Sequence, residues 1–373
     1  MSENSSSENR DRFLKLLQRA IQKDASDIHL KTNCPAYYRV DGNIEAQPEM
    51  VIDKQDIDNF VNILLGSEQK RHFLKRGEID LAFTEKGVGR FRVNIFRQRG
   101  QVSLVMRRIK TKMLTFEQLL LPDAALKLAE YVRGLVLITG TTGSGKSTAL
   151  ASLIDHINSR RQCHIITIED PIEFMHQDKS AIINQREITI DTADFSSALK
   201  AAMRQDPDVL LVGEMRDLET FQAAISASET GHLVFSTLHT TNVKQTIDRI
   251  IDMFPQEQRD QVLSQLAQNL RGIMCLRLII RADGVGRVPT AELMFDSPSV
   301  RKLIREGRHG QLEAAMQQGK ELGMQTFNDS LYTLIKSGLI SEIEGLNISE
   351  NPEELKMMLQ GIRLSSSGGG LLG

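Results

Sequence analysis

Residues 134–148 read GLVLITGTTGSGKST and join an apolar run, a glycine-rich loop and the start of a helix. The loop fits the pattern GxxxxGK[ST], in which glycines let successive N–H groups and the N-terminus of the next helix face polyphosphate oxygens. In this pattern Lys146 reaches the terminal phosphates and Ser147 ligates Mg²⁺. The strand before the loop and the helix after it favour this interpretation over an exposed glycine-serine loop. The predicted phosphate-binding residues are Gly140, Thr141, Thr142, Gly143, Ser144, Gly145, Lys146, Ser147 and Thr148.

After this loop the sequence alternates near-continuous apolar runs with helical segments. The apolar runs are LVLIT, HIITIED, DVLLVGE and HLVFSTLH, and helices are predicted over 146–158, 195–204 and 218–230. The alternation predicts an α/β fold with a mainly parallel sheet covered on both faces, and ligands bind such sheets at the carboxyl ends of the strands. The remainder, 243–361, reads as mainly helical with a strand pair around Gly284–Gly286.

The region before the loop has a different pattern. It combines an amphipathic helix from Phe13 to Ile21 with alternating strands such as 90–96, separated by turns such as Asp41-Gly42. We predict a small α+β domain over 11–110, a linker over 111–117 and the α/β domain over 118–361. We expect disorder over the polar residues 1–10 and a flexible tail over 362–373.

Composition excludes several classes of protein. The 373 residues suit two or three domains, and a net charge of −2 gives no general attraction to nucleic acid. The three cysteines lie far apart, so the sequence predicts neither a disulfide framework nor a CxxC zinc pair, which suits a reducing cytoplasm. No apolar run approaches the roughly 18 residues that span a bilayer, and the N-terminus does not read as a signal peptide. Membrane association would therefore need a partner.

Carboxylates follow two of the predicted parallel strands. Glu169 stands at the tip of the second strand and is the first candidate to position or deprotonate an attacking water. Asp170 and Glu173 are alternatives for that role or for holding magnesium through water, unless these acids only cap the turn before Pro171. Glu214 follows the third strand, where a P-loop protein keeps its second magnesium-site carboxylate. Its order and spacing after the loop support this interpretation.

Histidines and arginines complete the candidate site. His232 and His239 flank the fourth strand and are candidates to sense the γ-phosphate or to relay between subunits, the alternative being ordinary strand-end histidines. Phosphoryl transfer is helped by a cation that arrives in trans. Alternation places Arg90 and Arg92 on one strand face, which is either a solvated face or a surface that meets nucleotide across an interface.

With these residues in place, the chain resembles the PilT-type retraction ATPases of type IV pili, within the type II/IV secretion ATPase superfamily. The resemblance covers about residues 12–345 and includes Walker A, Asp box, Walker B and His box motifs in the order and at the spacings of that family. The matching segments include ASDIHL (25–30), RFRVNIF (90–96), GTTGSGKST (140–148), TIEDPIEF (167–174), RQDPDVLLVGEMRDLET (204–220), SETGHLVFSTLHTTN (228–242) and LGMQTFN (322–328).

The resemblance implies an N-terminal PAS-like domain, a RecA-like ATPase domain and a cytoplasmic homohexamer with nucleotide between the domains. It implies ATP and Mg²⁺ as cofactors, and a peripheral location at the inner-membrane pilus base. There, hydrolysis turns a PilC-like platform protein and withdraws pilin subunits. A paralogous retraction ATPase is a further expected partner, and no nucleic acid or transmembrane segment is expected.

The resemblance also implies a role for each residue at a matching motif position. The chain departs from the family's usual sequence at two positions. Thr141 stands where the family usually has proline, and Lys302 stands where retraction motors typically have asparagine. The implied roles are catalytic acid for Glu169, Walker B acid and magnesium ligand for Glu214, His box for His232 and His239, and approach to nucleotide from the N-terminal domain for Arg92 and Arg107.

Four other functions compete with retraction. A PilU-like accessory retraction ATPase shares nearly all of these motifs and stays open. Pilus-extension and type II secretion ATPases commonly carry a longer N-terminal extension and a tetracysteine zinc subdomain, which three scattered cysteines do not match. A ring that binds ATP without turnover would lack a catalytic acid, and a DNA motor would carry a basic stripe with interleaved aromatics.

Overall fold

The computed structural model of the chain describes residues 3–40, 42–109 and 114–362. It divides into two compact units, Met1–Lys112 and Met113–Gly373. Asp41 of the expected turn, residues 111–113 of the expected linker and residues 363–373 of the expected tail lie outside the described residues.

The first unit is a six-stranded antiparallel sheet with helices, and its strand order is β3-β2-β1-β6-β5-β4. Its core includes Phe13, Leu16 and Leu17 on one face of α1. Residues 3–10, expected to be disordered, belong to this helix, because its packed later turns allow the helix to extend toward the N-terminus. The elements are α1 (Glu3–Gln22), β1 (Asp27–Lys31), β2 (Cys34–Val40), β3 (Asn43–Ile52), α2 (Lys54–Leu64), α3 (Ser67–Arg76), β4 (Glu78–Glu85), β5 (Gly89–Gln98) and β6 (Gln101–Ile109).

The second unit is built on a seven-stranded sheet with the order β13-β12-β7-β11-β10-β8-β9. Its neighbours pair in parallel except for β12 and β13, which form an antiparallel hairpin at one edge. Every residue of β7, β10 and β11 is buried, as expected of strands covered on both faces. The strands are β7 (Gly134–Thr139), β8 (His164–Glu169), β9 (Ile182–Glu187), β10 (Val209–Val212), β11 (Leu233–Leu238), β12 (Leu270–Ile280) and β13 (Arg287–Phe295).

Helices cover this sheet, and several begin at side-chain caps. Asp194, Asp217 and Asn242 each accept a hydrogen bond from the backbone N–H three residues later, so the polar residue before each apolar run fixes where the helix starts. The helices are α4 (Lys127–Glu130), α5 (Lys146–Arg160), α6 (Phe195–Ala202), α7 (Leu218–Glu229), α8 (Val243–Asp252), α9 (Arg259–Asn269), α10 (Pro298–Arg305), α11 (Leu312–Gln318), α12 (Phe327–Lys336), α13 (Glu342–Ile348) and α14 (Pro352–Leu359).

The predicted fold class, a mainly parallel α/β unit preceded by a small α+β unit, is confirmed. The last three helices form a satellite core with the β12–β13 hairpin, in which Leu331 and Leu355 pack with Ile279 and Val288. Within the described residues, none of the helices is both long and apolar enough to cross a lipid bilayer.

Candidate nucleotide-binding site

Strand register brings the candidate motifs together at the carboxyl ends of the parallel strands. Thr139 at the end of β7 pairs with Leu238 at the end of β11. On the other side of β11, Ser236 pairs with Val212, which in turn pairs with Ile168 of β8. The glycine-rich loop, Glu214 and Glu169 therefore follow the carboxyl ends of β7, β10 and β8, within the four consecutive strands β7-β11-β10-β8.

The glycine-rich loop has a backbone path that side chains would obstruct. At Gly140 φ is +146°, and a Cβ atom there would lie 2.4 Å from Ser144 Oγ and 2.5 Å from the carbonyl oxygen of Leu276. Gly143 and Gly145 also have positive φ, +78° and +95°. Left-handed backbone at these positions is readily adopted only by glycine, so the loop geometry explains the spacing of the motif.

The other predicted phosphate-binding residues line this loop and the first turn of α5. Thr141, Thr142 and Gly143 are exposed, which leaves their backbone accessible to a ligand. Ser144 is buried, and its Oγ has no hydrogen-bond partner among the described residues. Ser147 and Thr148 are half-buried in the first turn of α5, where helix N–H groups favour an anion.

Lys146 is folded back against the loop. Its Nζ donates hydrogen bonds to the carbonyl oxygens of Gly140 (2.7 Å) and Thr141 (3.1 Å), and only 9% of the residue is exposed. Burial lowers the pKa of the Lys146 ammonium, while the nearby charges of Glu214 and Glu173 oppose that shift. The loop lysine and two of the candidate carboxylates thus share one electrostatic environment.

Glu169 is held in a fixed orientation. Its Oε1 accepts hydrogen bonds from Thr167 Oγ1 (2.6 Å) and Gln185 Nε2 (3.2 Å), and the backbone N–H of Glu173 also donates to the carboxylate. Burial raises the pKa of Glu169, outweighing these hydrogen bonds, and the neighbouring charge of Glu173 adds to the rise. A raised pKa makes the carboxylate a better proton acceptor, so Glu169 has the properties of a general base.

Glu214 contacts side chains that follow two strands, β10 and β11. Its Oε2 accepts a 2.8 Å hydrogen bond from Arg216 Nε, and its Oε1 lies 3.4 Å from His239 Nε2. Asp170 is exposed after β8, and its charge also acts on Arg216. A carboxylate and a hydroxyl, such as Glu214 and Ser147, are the hard oxygen ligands that Mg²⁺ prefers, so the donor set fits a magnesium nucleotide. In the described part of the chain, no group of three or more His, Cys, Asp or Glu side chains forms a metal cluster.

The two predicted histidines lie at opposite ends of strand β11. His239 follows β11, whereas His232 precedes it and its carbonyl accepts a hydrogen bond from the N–H of Gly134 at the start of β7. Its ring Nδ1 lies 2.9 Å from the carbonyl oxygen of Ala227 and 3.2 Å from Thr230 Oγ1. A six-residue strand separates the two histidines by about 20 Å, so the structure does not bring His232 to Glu214 within its own unit.

In the first unit, the two predicted arginines are cross-strand neighbours. Arg92 of β5 pairs with Arg107 of β6, and both side chains are exposed on one face. Arg107 Nε donates to Asp27 Oδ1 at 2.8 Å. Burial alone would raise the pKa of Asp27, but hydrogen bonds from Ser26 and Arg107 hold it below its usual value. The approach of these arginines to nucleotide stays a prediction.

Two contacts of the site were missed by sequence reasoning. Gln185, which donates to Glu169, lies on β9, and the mostly polar sequence IINQRE gives no clear strand signal. Arg216 follows Glu214 by two residues, a spacing that puts both side chains on one side of an extended segment. That spacing was the available signal for Arg216.

Comparison with known proteins identifies the family of the chain. A family model described as type II/IV secretion system protein matches residues 4–334. The type IV pilus retraction ATPase PilT of Pseudomonas aeruginosa is 43% identical over 338 residues, covering 91% of this chain and 98% of that protein. The type IV pilus ATPase PilU of the same organism is 38% identical over 348 residues, covering 93% and 91%.

A solved structure gives the same result for the fold. The crystal structure of the pilus retraction motor PilT with bound ADP superposes with a TM-score of 0.87 at 43% identity, covering 92% of this chain and 99% of that one. Both units of the chain therefore have a counterpart in a nucleotide-binding protein, and the second unit has the RecA-like architecture that the resemblance implied.

Proposed function

Since the chain belongs to the family of type II/IV secretion system proteins, we propose that it is a motor ATPase that hydrolyses ATP to power retraction of type IV pili. One observation carries the proposal: the glycine-rich loop with buried Lys146, the Glu214–His239 pair and Glu169 lie at neighbouring strand ends. This is the arrangement that binding and hydrolysis of a nucleoside triphosphate require.

In this proposal each residue has a distinct task. The N–H groups of residues 140–148 bind the phosphates, and Lys146 exchanges its bonds to loop carbonyls for bonds to phosphate oxygens. Ser147 and Glu214 would hold Mg²⁺, partly through water. Glu169 accepts the proton of the attacking water, with Asp170 and Glu173 as neighbouring carboxylates. His239 senses the γ-phosphate through its contact with Glu214.

The assembly is also part of the proposal. The chain forms a cytoplasmic homohexamer at the inner-membrane base of the pilus, where it acts on a PilC-like platform protein and alongside a paralogous retraction ATPase. Arg92 and Arg107 approach the nucleotide from the N-terminal domain. The support is the likeness to a retraction motor across both units, together with the exposure of both arginines on one strand face.

An accessory retraction ATPase is the second candidate function. It is supported by the similarity to PilU over nearly the whole chain, and autonomous retraction is favoured because the identity to PilT is higher. An autonomous motor should turn over ATP as the isolated protein and should retract pili when the paralogue is deleted. An accessory ATPase should do neither.

The test compares wild type with Glu169→Gln for Mg-dependent ATP turnover, ADP affinity and mass in solution. We expect a ring of about six subunits, and we expect the variant to retain ADP affinity while its turnover falls by about 10² or more, the usual contribution of a general base. Glu353→Gln, at an exposed position of α14, is the control. Comparable turnover in wild type and Glu169→Gln would remove Glu169 from this role. A wild-type ring that binds ATP without turnover would favour the accessory function or a ring that is only gated by nucleotide.

A further inference from the structure

The loop between β11 and α8, residues 239–242, connects the site to the rest of the unit. It begins with His239, whose Nε2 lies 3.4 Å from Glu214 Oε1, and it ends with Asn242, the N-cap of α8. We call this segment the histidine loop. Because His239 is 45% exposed, neighbouring side chains do not fix its position by packing alone, and the backbone of the loop must hold it.

Local hydrogen bonds account for only part of the loop's order. Thr240 Oγ1 and Thr246 Oγ1 share a 2.7 Å hydrogen bond, and Asn242 Oδ1 accepts from the N–H of Gln245 at 2.9 Å. These contacts join the loop to the first turn of α8. They fix the loop relative to that helix but not relative to the glycine-rich loop.

Arg277 supplies a connection to the other side of the site. It lies on β12, two residues after Cys275, which pairs with Thr139 at the end of β7. The carbonyl oxygen of the intervening Leu276 closely approaches Gly140. From this position beside the glycine-rich loop, Arg277 Nη2 donates to the carbonyl oxygen of Thr241 at 3.1 Å.

The same guanidinium binds the C-terminal segment. Its Nη1 donates to the carbonyl oxygen of Ile348 at 3.0 Å, its Nη2 pairs with Glu350, and its Cζ lies 4.0 Å from the centre of the Phe327 ring. Glu350 in turn accepts hydrogen bonds from Asn242 Nδ2 at 3.2 and 3.3 Å. Arg277 and Glu350 thus hold consecutive residues of the histidine loop from outside it.

The segment that carries Glu350 is itself anchored. Ser349 Oγ donates to Asn328 Oδ1 at 2.7 Å, and Asn328 Nδ2 donates to the carbonyl oxygen of Asn351 at 3.1 Å. Asn328 belongs to α12, which packs in the satellite core of the last three helices. The position of the histidine loop is therefore coupled to a part of the chain that contributes no side chain to the nucleotide site.

We propose that Arg277 and Glu350 are positioning residues for ATP hydrolysis, which hold the histidine loop so that His239 stays aligned with Glu214. The inference rests on the proposed ATPase function. Neither residue is assigned a contact with nucleotide, so both act on turnover through the alignment of His239. Misplacement of a catalytic group by about 1 Å costs up to about a hundredfold in rate, which makes such a constraint measurable.

The first test separates turnover from binding. We expect Glu350→Ala and Arg277→Lys to lower kcat by about tenfold while ADP affinity changes by less than about threefold. Lysine keeps the charge of Arg277 but lacks the planar fork that reaches two carbonyl oxygens and a carboxylate together. Glu353→Ala, one turn further along the same exposed segment, is the matched control and should keep the wild-type kcat. An unchanged kcat in both variants, or an equal loss of ADP affinity, would overturn the proposal.

The second test asks whether the effect passes through His239. In a double-mutant cycle, Glu350→Ala should lower the residual turnover of His239→Ala by less than about twofold, because the loop no longer has a histidine to align. A full additional loss in that background would overturn the proposal.

The third test does not depend on turnover. Amide hydrogen exchange at residues 243–246 should be faster in Glu350→Ala and unchanged in α7. If wild type lacks turnover, the proposed function fails, and the catalytic part of this inference fails with it. If wild type is active and exchange at residues 243–246 is unaltered by Glu350→Ala, this inference alone is refuted.

Discussion

Glu292 offers a quantitative prediction for stability against pH. It lies on β13, is only 7% exposed, and its Oε2 accepts a 2.7 Å hydrogen bond from the N–H of Val243 at the start of α8. Burial raises its pKa from 4.5 to about 7, and the charges of Glu350 and Glu313 add to the rise, while the hydrogen bonds from Val243 and Cys275 oppose it. The folded protein therefore keeps a proton on Glu292 in a pH range where the unfolded chain releases it.

The sign and the magnitude follow from proton linkage. A carboxyl group whose pKa is raised on folding contributes stability that is fully present below pH 4.5 and is lost as the pH rises through about 7. At 1.36 kcal/mol per pH unit the complete loss is about 3 kcal/mol, most of which falls between pH 5 and pH 8. Glu292→Gln keeps an acceptor for the N–H of Val243 and cannot ionise, so this part of the pH dependence should disappear.

The assay is urea unfolding of wild type and Glu292→Gln at equal protein concentration, from pH 5 to pH 8, followed through the transition of the second unit. Other groups titrate equally in both proteins. Their contributions therefore cancel when the free energy of unfolding of the variant is subtracted from that of wild type at each pH. We expect wild type to lose about 2 to 3 kcal/mol relative to the variant across this range. Glu353→Gln should run parallel to wild type. A constant difference between wild type and Glu292→Gln would refute the reasoning.

Two further predictions concern the nucleotide site. Gly140→Ala places a Cβ within 2.4 and 2.5 Å of Ser144 Oγ and the Leu276 carbonyl oxygen, so ADP affinity, measured by fluorescent-nucleotide titration, should fall by more than about tenfold. Gly143→Ala meets no atom within 4 Å, so its loss should be smaller, and equal losses would contradict the steric argument. His239→Ala should lower kcat by about tenfold or more, whereas His232→Ala, at the opposite edge of the sheet, should change it by less than about twofold. Equal losses in the two histidine variants would give His232 a role that its own unit does not explain.

Features defined by local sequence were predicted best. The strands β7, β8, β10 and β11 are nearly continuous apolar runs, and their order after the glycine-rich loop correctly placed Glu169, Glu214 and His239 at one edge of the sheet. The missed strand, β9, has exposed and half-buried residues at five of its six positions and is a strand because it pairs with β8. Tertiary pairing decided its structure, and no local pattern reports such pairing.

His232 shows a limit of motif reasoning. It is only seven positions from His239 in sequence, and both belong to the segment that the resemblance groups as one motif. The strand between them is extended, so proximity along the chain becomes separation across the sheet. The same segment as a helix would have placed the two histidines on one side within about two turns, and only the strand assignment separates the two outcomes.

The residues that hold the histidine loop could not be found from local sequence at all. Arg277, Glu292 and Glu350 lie on β12, on β13 and after α13, and each contacts the loop or the start of α8 only because the hairpin and the last helices fold back to the sheet edge. Their charges also interact, since Glu350 pairs with Arg277 and raises the pKa of Glu292. A change at Glu350 therefore acts on the loop twice, by removing a hydrogen bond to Asn242 and by favouring ionised Glu292 at the N-terminus of α8. Substitutions that displace the segment carrying Glu350 should for this reason alter ATP turnover, although that segment lies far in sequence from the nucleotide motifs.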